Sequence, residues 1–192
     1  MNYSVIIIDD FYDDPMAVRK AALKAQYDVS GNYPGIRSEP HKYPEAKEKL
    51  EKAISHAIDL EVWDDSQYNG SFQFVKGAEK TWIHTDPHND YSCVVFLHPN
   101  PEPDTGTSMY EHKETGLRYW PRKEQGPFDP SWSEFRMVDK VENVFNRAVI
   151  FKGNLFHAAD GYFGNDVYDG RLFQTFFFNK GDWEMRHFGD YD

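Results

Sequence analysis

Trp82-Ile83-His84-Thr85-Asp86-Pro87-His88-Asn89-Asp90-Tyr91-Ser92-Cys93-Val94-Val95-Phe96-Leu97 is the stretch on which the architecture turns. Its second half is a dense β-branched and aromatic run from Ser92 to Leu97, the composition of a buried strand. Its first half, Trp82-Ile83-His84, reads as the end of another strand, closed by a turn rich in Pro, Asn and Asp. In an extended chain, residues two apart project from one face, so His84 and Asp86 can approach a common point.

Outward from this stretch the extended pattern continues. Phe72 and Phe74, Thr107 to Tyr110, Arg147 to Phe151 and Arg171 to Phe178 are short β-rich pieces punctuated by Gly, Pro, Asn and Asp. Toward the N-terminus the period changes. Val5 to Ile8 suits a buried strand, and Asp13-Asp14-Pro15 opens a helix expected over residues 15–27, with Val18, Ala21, Ala22 and Ala25 at helical spacing. Gly31-Asn32-Tyr33-Pro34-Gly35 breaks it, and a second helix is expected over 44–60, where Ala46, Leu50, Ala53, Ile54 and Ala57 share a face. Helices first and strands later predict an α+β fold, a double-stranded β-helix or jelly-roll barrel with N-terminal helices packed on one sheet. We expect one domain over 1–192, with 1–66 supplying a strand and supporting helices and 67–192 the jelly-roll core. The segment from Glu111 to Asn143 has no regular pattern.

Composition narrows the function classes. The formal charge is -11, from 21 Lys and Arg against 32 Asp and Glu, which opposes attachment to nucleic acid or an anionic membrane. Cys93 is the only cysteine, so no disulfide forms within the chain, and its apolar neighbours mark it as a small core residue. The apolar run at the N-terminus is too short for a signal sequence and no stretch is long enough to span a bilayer, so a cytoplasmic protein is expected.

The chemistry-bearing residues lie far apart in the chain. His84-x-Asp86 is one of two His-x-Asp spacings in its loop; His88 and Asp90 form the other, but follow a proline in a turn and are less well held. His157 follows about seventy residues later, in Asn154-Leu155-Phe156-His157, and Arg171 opens an aromatic strand. Two imidazoles and one carboxylate suit Fe(II) with open positions, and Zn(II) accepts the same donors. Arg171 separates the two. A planar guanidinium pairs bidentately with a carboxylate, as the distal end of a chelating dicarboxylate requires. On a strand, Arg171, Phe173, Thr175 and Phe177 share a face, which makes Thr175 a further candidate.

Phe74 to Leu97 and His157 to Asn179 together resemble the catalytic halves of the prolyl 4-hydroxylase-like branch of Fe(II)/2-oxoglutarate oxygenases. The opening Val5-Ile6-Ile7-Ile8-Asp9-Asp10-Phe11 is similar to that of uncharacterised oxygenase-like proteins of phages and bacteria. The resemblance implies His84, Asp86 and His157 as ligands of Fe(II), and Arg171 with Thr175 as the seat of the 2-oxoglutarate carboxylate. It further implies dioxygen as oxidant, and hydroxylation of a protein side chain, amino acid or small molecule with release of succinate and CO2. Phe74 and Phe96 stand where prolyl hydroxylases often carry tyrosines, which leaves Tyr91 and Gln73 as replacement hydrogen-bond candidates. His112, Lys113, Arg118, Tyr119, Trp120, Arg122 and Lys123 form a basic and aromatic segment that suits a lid. A metal-dependent hydrolase or isomerase on a cupin-like barrel, and a non-catalytic jelly-roll binding module, remain open alternatives.

Overall fold

The computed structural model describes residues 4–65, 68–120 and 131–181. Strand β1 (Val5–Ile8) leads to helix α1 (Pro15–Lys24), which begins as expected: Asp14 caps it by accepting the Ala17 amide at 2.9 Å, and Pro15 occupies the first turn. The helix stops short of the expected residue 27. Tyr27–Val29 forms β2, paired antiparallel with β3 (Ile36–Pro40), and the Tyr27 hydroxyl donates to Ala22 O near the end of α1. These two strands lie in the half read as helical, because residues 31–35 make a hairpin connection rather than a mere helix break.

The second expected helix is divided. Helix α2 (Pro44–Ile54) ends where Ser55 adopts φ 53, and α3 (Leu60–Asp65) restarts under an Asp59 side chain that accepts the amides of Glu61 and Val62. Ile58, between them, bridges Lys180, so a tertiary contact replaces helical continuity.

The remaining strands are β4 (Ser71–Val75), β5 (Tyr91–Phe96), β6 (Thr107–His112), β7 (Phe135–Val141), β8 (Ala148–Lys152), β9 (His157–Ala159) and β10 (Arg171–Phe178). A seven-stranded sheet runs β1-β8-β5-β10-β4-β3-β2 and a three-stranded sheet runs β7-β6-β9, with antiparallel pairing throughout.

Strand parity sorts the side chains of the large sheet. Cys93 and Val95 of β5, Ala148 and Ile150 of β8, and Leu172, Phe176 and Phe178 of β10 join one apolar cluster with Val18 and Ala22 of α1, Leu50 and Ile54 of α2 and Trp63 of α3. The alternate residues Phe96, Val149, Phe151 and Phe173 join a second cluster with Met109 and Val141 of the small sheet. Polar side chains among these alternate residues face the cavity described next. Asn146 fastens the corner after β1: at φ 63 it accepts the Tyr12 amide and donates to Tyr12 O, at 2.8 and 2.9 Å.

Candidate metal centre

His84 and His157 are brought together by a two-way backbone bridge. The His84 amide donates to His157 O at 2.9 Å and the His157 amide returns the bond to His84 O at 3.0 Å. Trp82-Ile83-His84, expected as a strand end, makes only this isolated bridge, but the bridge alone sets the two rings 4.3 Å apart between centroids. His157 is further fixed by β9, whose pairing places it opposite Met109.

Each imidazole is also held at its other nitrogen. Nδ1 of His84 lies 3.0 Å from Trp82 O and Nδ1 of His157 lies 2.9 Å from Leu155 O. A carbonyl only accepts, so both Nδ1 atoms carry the proton and both Nε2 lone pairs are left for a ligand. Burial, followed by the neighbouring His84, pulls His157 down to about 4 against the opposing pull of Asp86, so its ring is neutral at neutral pH.

Asp86 completes the group. Its amide donates to Gly153 O at 2.6 Å, and its Oδ2 accepts the Ser92 hydroxyl at 2.7 Å and lies 3.6 Å from His157 Nε2. Gly153 is required by space: a Cβ there would stand 2.3 Å from Asn89 O and 2.5 Å from Asp86 O. One ligand atom from each of His84, Asp86 and His157 lies within 4.8 Å of the others, the single such group among the described residues. His88 is exposed and lines a neighbouring cavity, and Asp90 accepts the Lys180 amide, so the alternative pair does not assemble. Two imidazole nitrogens and a carboxylate within this distance of one another fit a divalent transition metal.

The three residues sit at the wall of a cavity of about 210 Å³ between the sheets. Arg171, Phe173, Thr175 and Phe177 all line it, as strand parity requires. Arg171 is buried, its Nε donating to Thr105 O at 2.8 Å and one Nη to Gly106 O at 3.1 Å. Burial brings it down to about 10, opposed by Tyr162 and Asp160, and it keeps its charge at neutral pH. Phe173 lies against this guanidinium at 4.6 Å and Phe96 at 5.3 Å. Thr175 lies two same-face positions further on, with a long hydrogen bond of 3.4 Å to Ser71 O.

Tyr91 takes a different position from the one expected. It belongs to the cluster on the other face of the large sheet and stacks on Phe178 at 5.5 Å, because its parity on β5 is opposite to that of the cavity-lining Ser92. Gln73 does line the cavity. Sequence reasoning missed Tyr162, whose ring lies 5.7 Å from the Arg171 guanidinium and whose phenol is raised by burial. Tyr162 sits in an irregular segment after β9, where no periodicity assigns it a face. Arg37 was missed for a different reason, since β3 was not foreseen.

Of the basic and aromatic segment, Arg122 and Lys123 lie outside the described residues. The described members are tied to the small sheet and its flanks: Arg118 pairs with Asp139, Lys113 donates to Ser133 O, Tyr119 bridges Leu155 and Trp120 packs on Phe156. Cys93 is buried, its thiol pushed up by desolvation, which suits a packing residue and not a nucleophile. No helix among the described residues is long and apolar enough to cross a membrane.

The model of a family of unknown function, DUF6445, matches residues 1–130 and 117–178. No match was found among curated proteins. Among solved structures, the chain is similar to a Trichoplax adhaerens prolyl hydroxylase in complex with a hypoxia inducible factor oxygen degradation domain peptide fragment. That match has a TM-score of 0.53 at 13% identity and covers 91% of this chain and 83% of the other. A Pseudomonas putida prolyl-4-hydroxylase aligns with a TM-score of 0.52 at 11% identity over 94% and 95% of the two chains. The non-heme alpha ketoglutarate dependent epimerase SnoN from nogalamycin biosynthesis aligns at 0.51 and 12% identity over 90% and 74%. The fold is thus the jelly-roll-like one that these oxygenases share.

Proposed function

This chain belongs to the DUF6445 family, whose function is unknown, and from that premise we propose that it is an Fe(II)- and 2-oxoglutarate-dependent oxygenase. The observation that carries the reading is one cavity bounded by both the His84, Asp86 and His157 group and the buried, charged Arg171. The likeness of fold to prolyl hydroxylases supports it. We take 1–192 as a single oxygenase domain built on a double-stranded β-helix, with the N-terminal helices backing the large sheet.

His84 and His157 would hold the metal through Nε2, each ring kept in one tautomer by a backbone carbonyl, while Ser92 fixes the Asp86 carboxylate. Bound there with 2-oxoglutarate, iron(II) supplies the activation of dioxygen and oxidation of a C–H bond, with succinate and CO2 released. Arg171 presents its remaining N–H groups to the distal carboxylate of the co-substrate, with Tyr162 and Thr175 as neutral partners on the same cavity wall. Two of the guanidinium's donors are already spent on Thr105 and Gly106 carbonyls, so it is oriented before any ligand arrives. Trp82, Phe151 and Phe173 give the cavity apolar walls that exclude water. The substrate is a small molecule, an amino acid or a protein side chain.

Anaerobic titration with Fe(II) and then 2-oxoglutarate, followed by assay of succinate after air is admitted, tests the proposal. Binding of both and succinate release are expected. Metal uptake without any effect of 2-oxoglutarate would instead indicate a metal-dependent hydrolase or isomerase.

A further inference from the structure

A second guanidinium faces the same cavity and has no counter-ion among the described residues. Arg37 lies on β3 opposite Gln73 of β4, which in turn lies opposite Phe173 of β10, so the three form a row across the sheet. Its Nε donates to Gln73 Oε1 at 2.7 Å, and the Gln73 amide is itself held by Pro34 O at 2.7 Å. The Tyr33 ring lies 3.8 Å from the guanidinium carbon and the Phe177 ring 5.3 Å. Arg37 is only 8% exposed, yet among the described residues its two terminal nitrogens make no hydrogen bond and no ion pair.

A buried cation without a counter-ion is costly, and aromatic faces recover only part of the lost hydration. Desolvation is the main influence on Arg37, and Asp86 is among the negative groups it senses. Asp86 forms no ion pair with it, however, and is engaged by Ser92 and the metal-ligand group. What remains is a guanidinium held through Nε at the cavity wall with its two terminal nitrogens unengaged among the described residues, the donors that can recognise a carboxylate bidentately.

Arg37 and Arg171 do not compete for one position. Arg171 lines the inner cavity alone, whereas Arg37, Asp86 and Phe177 also line a second cavity of about 300 Å³ bounded by Tyr68, Pro87 and His88. Arg37 therefore stands at the junction of the two cavities, beside the metal-ligand group. One dicarboxylate co-substrate needs one distal anchor, which leaves the second guanidinium for a different anion.

We propose that Arg37 anchors a carboxylate of the molecule to be oxidised, making the substrate a small carboxylic acid or amino acid whose apolar part packs against Tyr33, Trp82 and Phe177. This rests on the oxygenase reading above and names the substrate class for that same site. The net charge of -11 discourages an acidic polypeptide more than it does a small acid.

The test uses the full chain loaded anaerobically with Mn(II) and titrated calorimetrically with 2-oxoglutarate. The saturated protein is then titrated with benzoate, phenylacetate, L-proline, L-phenylalanine and L-glutamate, each beside its neutral amide. At least one acid should bind about tenfold or more tighter than its amide. R37Q should lose that preference while its 2-oxoglutarate affinity moves by less than about threefold, and R171Q should show the reverse. R37Q removes an uncompensated charge and should melt no lower than the parent; R37K, which keeps the charge but not the fork, gives the same readout in a more conservative variant. Equal binding of acid and amide, binding unchanged in R37Q, no binding of any acid, binding of an acidic peptide alone, or loss of 2-oxoglutarate in R37Q would each overturn the proposal. A chain that takes up neither Mn(II) nor 2-oxoglutarate but binds an acid in an Arg37-dependent way would overturn the oxygenase reading, and with it the assignment of that acid as the molecule oxidised, leaving only a carboxylate-binding site at Arg37.

Discussion

The tautomers of two histidines govern what the centre can hold. With both Nδ1 atoms committed to carbonyls, only Nε2 of His84 and of His157 can coordinate, and Asp86 contributes the single negative charge. Asp86→Ala and His157→Ala are therefore expected to abolish measurable uptake of Fe(II) or Mn(II) in anaerobic calorimetry. Wild-type uptake in both variants would remove these residues from the ligand set. Arg171 lines the same cavity and is the anchor of the co-substrate in the function proposed above. Arg171→Gln should weaken 2-oxoglutarate by about 10- to 100-fold, the worth of hydrogen bonds to a charged group, while metal affinity stays unchanged. Arg171→Lys should fall between them, because an ammonium keeps the charge but not the planar fork. Competing losses in metal and 2-oxoglutarate binding would point to a collapsed cavity instead of a lost anchor.

At the scale of elements, the loop carrying Asp86 is shaped by its contact with the segment after β8. Gly153 accepts the Asp86 amide and donates its own to Asp90 O, and its missing side chain lets the two backbones touch. Gly153→Ala should cost about 1–3 kcal/mol in denaturant unfolding and should also weaken metal binding, since the backbone that must yield belongs to Asp86 and Asn89. A variant with normal stability and normal metal uptake would show that the loop gives way freely. Parity is the other element-scale determinant. On β10 it was legible, and Arg171, Phe173, Thr175 and Phe177 line one cavity as expected. On β5 the same rule separates Ser92 from Tyr91, and Tyr91 falls on the face away from the cavity.

For the whole molecule, stability should depend on pH through histidines that the fold keeps neutral. Burial lowers both His41 and His98 below their ordinary value, so the unfolded chain takes up protons before the folded one does. Their contribution is complete above about pH 6.5 and is lost as pH falls through that value toward the depressed folded ones. Asp160, raised by burial, works in the opposite direction at lower pH. Melting temperatures of the metal-free chain should thus fall between about pH 7.5 and pH 5, and His41→Gln should flatten the slope; a level profile in the parent would contradict this. The sequence alone determined strands β4, β5, β6, β8 and β10 and the starts of the first two helices, because local periodicity and capping are written in neighbouring residues; it offered His84, Asp86, His157 and Arg171 as candidates by residue type, and the fold brings them to one cavity. Only the tertiary structure decided that residues 27–40 pair as strands at the sheet edge and that Ile58 interrupts a helix. It alone decided, too, that Tyr162 and Arg37 turn into the cavity. The reason is physical: edge pairing and the facing of irregular segments depend on partners distant in the chain, whose contacts outweigh local preference.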